Sequence, residues 1–161
     1  MDWRSWDGEV SDPGLLQLRA YWEEKRGTGF APPRRSIDPV DLACVLGDVA
    51  LLEVERDPLR FRYRLHGTNL VKRTNVDMTG RSTEDVRDPE FRRLLREILT
   101  EVYESQRPWQ ARANRSWLKG PGDFEALLLP LSEDGESVTM ILSCWRCLGY
   151  DFEAQQPGEP R

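Results

Sequence analysis

The chain is poor in metal-binding and nucleophilic side chains: its 161 residues hold one histidine, His66, and three scattered cysteines, Cys44, Cys144 and Cys147. A structural zinc site needs four such ligands at close spacing, which this set does not offer. An odd number of widely spread cysteines supplies no disulfide framework and fits a reducing compartment. The sequence also lacks a serine–histidine–acid set, a Gly-rich phosphate loop and an HExxH run, so no catalytic residues are assigned and no enzyme activity is expected. No apolar run reaches the ~18 residues that cross a bilayer. The opening Met1-Asp2-Trp3-Arg4-Ser5-Trp6-Asp7 has no charged-then-apolar signal layout. A cytoplasmic location without membrane contact is therefore expected. Long charge tracts are missing too. The 23 basic and 28 acidic residues leave a formal charge of −5, and Arg34-Arg35 and Arg92-Arg93 are only pairs, so no nucleic-acid partner is expected.

What is present is material for one core. Apolar residues make up 39% of the chain, with 6 Trp, 4 Tyr and 5 Phe, which argues against disorder through the middle. Residues 1–12 show no period and read as a flexible tail, or as an arm that docks Trp3 and Trp6. Leu15, Leu18, Tyr21 and Trp22 recur at helical spacing, predicting an amphipathic helix over 13–26 that stops at Gly27 and Gly29. Pro32 and Pro33 stiffen the next segment. Asp38 can then cap a short helix with Pro39 at its first position and Asp41 in its first turn, running to Leu46 and closing at Gly47. Residues 13–47 are thus read as a helical extension ahead of a main domain at 48–150, with a disordered tail at 151–161.

From Val49 the period changes to two. Residues 49–55 form one strand, Arg56-Asp57-Pro58-Leu59 a turn, and Arg60-Phe61-Arg62-Tyr63-Arg64-Leu65-His66 the next strand. Phe61, Tyr63 and Leu65 are expected on one face, the arginines and His66 on the other. That register sets Glu55 opposite Arg60 and Glu53 opposite Arg62, so charge and hydrophobic pattern agree. One helical turn follows around residues 68–71. A strong helix is then capped by Asp88 with Pro89 at its start, carries the stripe Phe91, Leu94, Leu95, Ile98, Leu99, Val102 and Tyr103, and ends near Ser105. Trp109, Ala111, Ala113 and Trp117 alternate with polar residues as a third strand. A turn at 119–123, a strand over 124–131 and a last strand over 138–148 complete an α+β order with a five-stranded antiparallel sheet.

Three runs carry a resemblance: Tyr21-Trp22 followed by Phe30-Ala31-Pro32-Pro33-Arg34-Arg35-Ser36-Ile37-Asp38-Pro39, then Phe61-Arg62-Tyr63-Arg64-Leu65-His66-Gly67-Thr68, then Asp77-Met78-Thr79-Gly80-Arg81. In order and spacing, over residues 18–148, they resemble a PAS-type family of short stand-alone alphaproteobacterial proteins. The resemblance implies a sheet in 2-1-5-4-3 order with helices cupping one face and an added N-terminal helix. It also implies dimer formation through such a helix in many relatives of the wider fold. It assigns no ligand, since function lives in the site.

Two function readings follow. In the first, the chain is a PAS-like signalling or docking module, working as a homodimer or on a protein partner through Leu15, Leu18, Tyr21, Trp22, Arg34 and Arg35. In the second, it is a receptor for a small apolar or anionic metabolite, in a pocket between sheet and long helix walled by Phe61, Tyr63, Leu65, Leu70, Leu94, Ile98, Phe124, Leu127 and Met140. No cofactor is assigned. His66 lies on the arginine side of its strand and off the long helix, where a PAS-like haem histidine is expected. No cysteine sits in the Asn-Cys-Arg-like helix start that covalent flavin chemistry of the light-sensing relatives needs. Cys144-Trp145-Arg146-Cys147 has the spelling of a redox pair, but on a strand positions three apart point to opposite faces, one cysteine into the core and the other outward.

Overall fold

The computed structural model describes residues 2–114 and 123–148. The expected strand position of Trp117, most of the turn at 119–123 and the 151–161 tail lie outside the described residues. Helix α1, Pro13–Arg26, starts where Asp12 accepts the Leu15 amide at 3.0 Å and ends at Gly27 with φ 58°. Asp38 caps Pro39–Leu42 by accepting the Val40 amide. The expected single helix to Leu46 is instead two 3-10 turns, Pro39–Leu42 and Leu46–Asp48, with Gly47 inside the second.

Strands β1 (Val49–Glu55) and β2 (Arg60–His66) form the expected hairpin, with Glu53 opposite Arg62 and Glu55 opposite Arg60. The closest ion pair runs diagonally, Arg62 Nε to Glu55 at 2.9 Å. Helix α2 (Thr68–Thr74) is longer than the single turn expected. Helix α3 (Pro89–Ser105) begins where Asp88 accepts the Phe91 amide at 2.8 Å. Strands β3 (Trp109–Asn114), β4 (Asp123–Leu131) and β5 (Met140–Cys147) complete a five-stranded antiparallel sheet in the order β2-β1-β5-β4-β3.

Both faces of this sheet are covered. On the inner face, α3 contributes Leu94, Leu95, Ile98, Leu99 and Val102 to a core with Leu52, Phe61, Phe124, Ala126, Leu128 and Ile141. On the outer face, α1 buries Leu15, Leu18 and Trp22 against Val49, Leu51, Leu127, Leu129, Leu131 and Leu142. The Trp22 indole N–H donates to the Pro130 carbonyl at 2.8 Å, so its one polar atom is satisfied in the core. Alternate residues of β4 thus serve two cores, which is why this strand reads as one apolar run rather than an alternation. Trp3 and Trp6 pack edge-on against Trp109 at 5.8 and 6.1 Å, and the Arg112 amide donates to the Asp7 carbonyl. The opening segment is an arm laid along the outer edge strand.

Candidate functional site

A break in the β1–β2 alternation shapes the site. Leu52 pairs with Tyr63 but Leu51 with Leu65, so Arg64 is an extra, unpaired residue. Such a bulge reverses the facing of everything beyond it. Leu65 therefore stands opposite outer-face Leu51 and is 38% exposed, while His66 stands opposite inner-face Ala50. Both side chains sit on the face opposite to the one the simple alternation predicts. His66 comes to rest 5.1 Å from the Tyr63 ring.

Between the sheet and α2/α3 lies a cavity of about 100 Å³. Its floor is Ala50, Leu52, Phe124, Leu128 and Ser143; its roof is Leu70, Phe91, Leu95 and Leu99; Trp145 and Cys147 close one end. Tyr63, His66, Arg73, Thr74 and Phe91 border both this cavity and an outer recess of about 300 Å³ beneath residues 76–88. The interior is mainly apolar and, apart from Ser143 and Cys147, the polar groups gather at the junction, the usual make-up of a small-molecule pocket.

Most of these polar groups are committed. His66 Nδ1 accepts the Met78 amide at 3.1 Å. Burial lowers the imidazole pKa against the opposing pull of Asp77 and the Val76 carbonyl, so the ring is neutral near pH 7 with its proton on Nε2. Arg73 donates to the Trp145 carbonyl at 2.9 Å and to Asp48 at 2.5 Å. Asp48, almost fully buried, also receives Arg146 at 2.6 Å. Arg146 in turn reaches Asp12, the cap of α1, at 3.2 Å. This charge-balanced chain runs from the cavity wall past the sheet to the outer helix. Burying Asp48 is tolerable because both carboxylate oxygens are paired.

Of the pocket residues expected from sequence, Tyr63, Leu70 and Phe124 line the cavity. Phe61, Leu94 and Ile98 are buried in the same core without bordering it. Leu65, Leu127 and Met140 face the outer layer instead. The bulge explains Leu65. Leu127 lies in an unbroken Leu run and Met140 beside Ile141, where either neighbour suits either face. The sequence reading missed His66, Arg73, Phe91, Leu95, Leu99, Trp145 and Cys147 as lining groups, although the helical stripe carried Phe91, Leu95 and Leu99. Cys144 is buried in the outer layer and Cys147 borders the cavity, on opposite faces as strand geometry requires.

The expected partner surface is corrected more sharply. Leu15, Leu18 and Trp22 are 0–2% exposed inside their own chain, so that stripe is used by the fold. Tyr21 donates to Asp41 at 2.9 Å and accepts from the Asp38 amide, and the Arg34 guanidinium donates to the Ile37 carbonyl. Arg35 alone of the six projects well into solvent, 3.7 Å from Glu133. Among the described residues no group of three or more His, Cys, Asp and Glu side chains could hold a metal ion, and no helix is long and apolar enough to cross a membrane.

A family model described as a PAS domain matches residues 10–145. No curated protein matches the chain. Solved structures that show a likeness include the following three. A variant of RsLOV is 14% identical, with TM-score 0.44, over 90% of this chain and 73% of that one. A fungal LOV domain photoreceptor is 14% identical, with TM-score 0.45, over 83% and 91%. An IcIR transcriptional regulator from Alicyclobacillus acidocaldarius is 16% identical, with TM-score 0.31, over 88% and 60%.

Proposed function

Because the chain belongs to the PAS domain family, we propose that it is a sensor module whose input is a small, mainly apolar molecule held between the sheet and α3. The observation that carries this reading is the apolar cavity bounded by polar groups at a single junction with the outer recess. A docking role through the stripe of α1 has less support, since that stripe is buried in cis. No catalytic residue is assigned. The paired charges Arg73, Asp48, Arg146 and Asp12 give the site a route outward: a molecule that shifts Arg73 disturbs the cap of α1 without touching it. A homodimer, as the resemblance implies, would have to use what α1 and its neighbours leave exposed, including Leu16 and Val40.

Titration of the whole chain with p-xylene, followed by amide chemical shifts, tests the reading. Saturable shifts are expected around Leu52, Leu70, Leu95 and Trp145, and their loss in Ala50→Leu, which fills the cavity floor. A cavity of about 150 Å³ is known to take benzene, so a ring fits here if it reaches from the cavity into the recess. Absence of saturable shifts, or the same shifts in Ala50→Leu, would overturn the proposal.

A further inference from the structure

Tyr63 is 7% exposed and borders both the cavity and the recess. Its backbone is paired on both sides, the amide donating to the Arg81 carbonyl at 2.9 Å and the carbonyl accepting the Gly80 amide at 2.8 Å. Its ring meets the His66 ring. Its hydroxyl, by contrast, makes no hydrogen bond among the described residues, and burial alone pushes the phenol pKa well above its usual range. The other lining hydroxyls are committed: Thr74 donates to the Leu70 carbonyl at 3.0 Å and Ser143 to the Ala50 carbonyl at 3.2 Å. Tyr63 borders both the cavity and the recess, so its hydroxyl is not sealed in the core but faces open space at their junction. Phenylalanine would fill the same inward strand position and leave no hydrogen-bonding group there. The oxygen is available to a partner that arrives from outside the chain.

The charge around this hydroxyl narrows what the partner is. Arg73, the one cation on the cavity wall, is already neutralised by Asp48, which also answers Arg146. In the recess, Arg81 and Arg87 are matched in number by Asp85 and Asp88, so the site presents a neutral hydroxyl beside an apolar chamber with no net positive charge for a carboxylate or phosphate. An anion would enter without compensation; a neutral molecule loses nothing. The volume sets the size, since about 100 Å³ is below the ~150 Å³ that takes benzene, and a single ring is accommodated only by extending into the adjoining recess.

We propose that the cavity takes a neutral, single-ring molecule carrying one hydrogen-bonding oxygen, and that Tyr63 is the residue that holds that oxygen. This rests on the sensor reading and specifies its ligand class. The ring lies among Leu52, Leu95, Leu99 and Phe124, and its oxygen meets Tyr63 where cavity and recess join. The earlier expectation of an apolar or anionic metabolite is thereby narrowed to a neutral one.

Three probes of like size separate the claims: p-xylene, p-cresol, in which a hydroxyl replaces one methyl, and the anion 4-methylbenzoate. Binding to the whole chain at pH 7, by calorimetry or amide shifts, is expected to favour p-cresol over p-xylene by about tenfold, the effect of one hydrogen bond. The anion is expected to bind more weakly than either. Tyr63→Phe should abolish the preference for p-cresol while keeping p-xylene binding. It should also leave the melting temperature unchanged or raised, because the lost hydroxyl has no partner within the chain. If p-xylene binds but p-cresol shows no advantage, or if the advantage survives Tyr63→Phe, the anchor is overturned and the sensor reading stands. Tightest binding by 4-methylbenzoate overturns the neutral class and moves the anchor to Arg73. A marked loss of stability in Tyr63→Phe also overturns the proposal, since it reveals an internal role for the hydroxyl. Failure of all three probes to bind overturns both readings.

Discussion

The residue that sets the geometry of the pocket mouth is Arg64, the extra residue of the bulge in β2, because it returns His66 to the inner face. Gly67 completes the turn into α2. Its amide donates to the Val49 carbonyl at 2.8 Å, and a Cβ at this position would overlap the carbonyl oxygens of Gly47 and Val49. These are backbone atoms, which cannot rotate away as a flexible side chain would. Gly67→Ala is therefore expected to destabilise the chain by about 2 kcal/mol, read as a lower denaturant midpoint with unchanged slope. A change within about 0.5 kcal/mol, the range of an ordinary surface substitution, would show that the close approach is not needed.

At the scale of elements, the start of α1 is tied to β4 by one buried carboxylate. Glu125 is 0% exposed and accepts the Ser11 amide at 2.9 Å, the Ser11 hydroxyl at 2.7 Å and the Asp12 amide at 2.7 Å, with Arg112 at 3.8 Å. Burial pushes the Glu125 carboxyl up, but the hydrogen bonds from Asp12 and Ser11, with Arg112 nearby, together outweigh it and hold the pKa below the usual range. A depressed folded-state pKa contributes stability that is complete above the ordinary glutamate value of about 4.3 and is lost as pH falls through the lower folded value. The acid limb of a stability–pH curve is expected to be less steep in Glu125→Gln, with reduced stability at neutral pH. Superimposable curves for the two proteins would refute this account of the anchor.

For the molecule as a whole, α1 is part of the fold. Fully burying Leu15, Leu18 and Trp22 contributes roughly 1.5–3 kcal/mol each, a sum comparable to the whole stability of a typical domain. Removal also uncovers Val49, Leu51, Leu127, Leu129 and Leu131 on the outer face of the sheet. Deleting residues 1–26 is expected to abolish a cooperative thermal transition or to send the chain to aggregates in size exclusion. A truncated chain that stays monodisperse and melts near the temperature of the full chain would contradict this.

Local chemistry was enough to read the two long helices, the strands and their order from sequence, though not the 3-10 turns before β1 or the full length of α2. Asp38 and Asp88 sit where an N-cap side chain satisfies a free amide, and Pro39 and Pro89 follow them where a missing N–H costs nothing; the structure repeats the pattern at Asp12 and Pro13. The Glu/Arg complement of the first hairpin set its register because opposite charges and period-two burial select the same pairing. Which side of the sheet a residue faces was decided only in three dimensions. One unpaired residue at Arg64 exchanged Leu65 and His66. In β4 and β5, covered on both faces, an apolar residue is equally at home on either, so Leu127 and Met140 carried no directional signal. The pocket likewise arose from tertiary placement. Tyr63, His66 and Arg73 come from one strand and one helix, and only the packing of α2 and α3 over the bulged hairpin brings them to a shared opening.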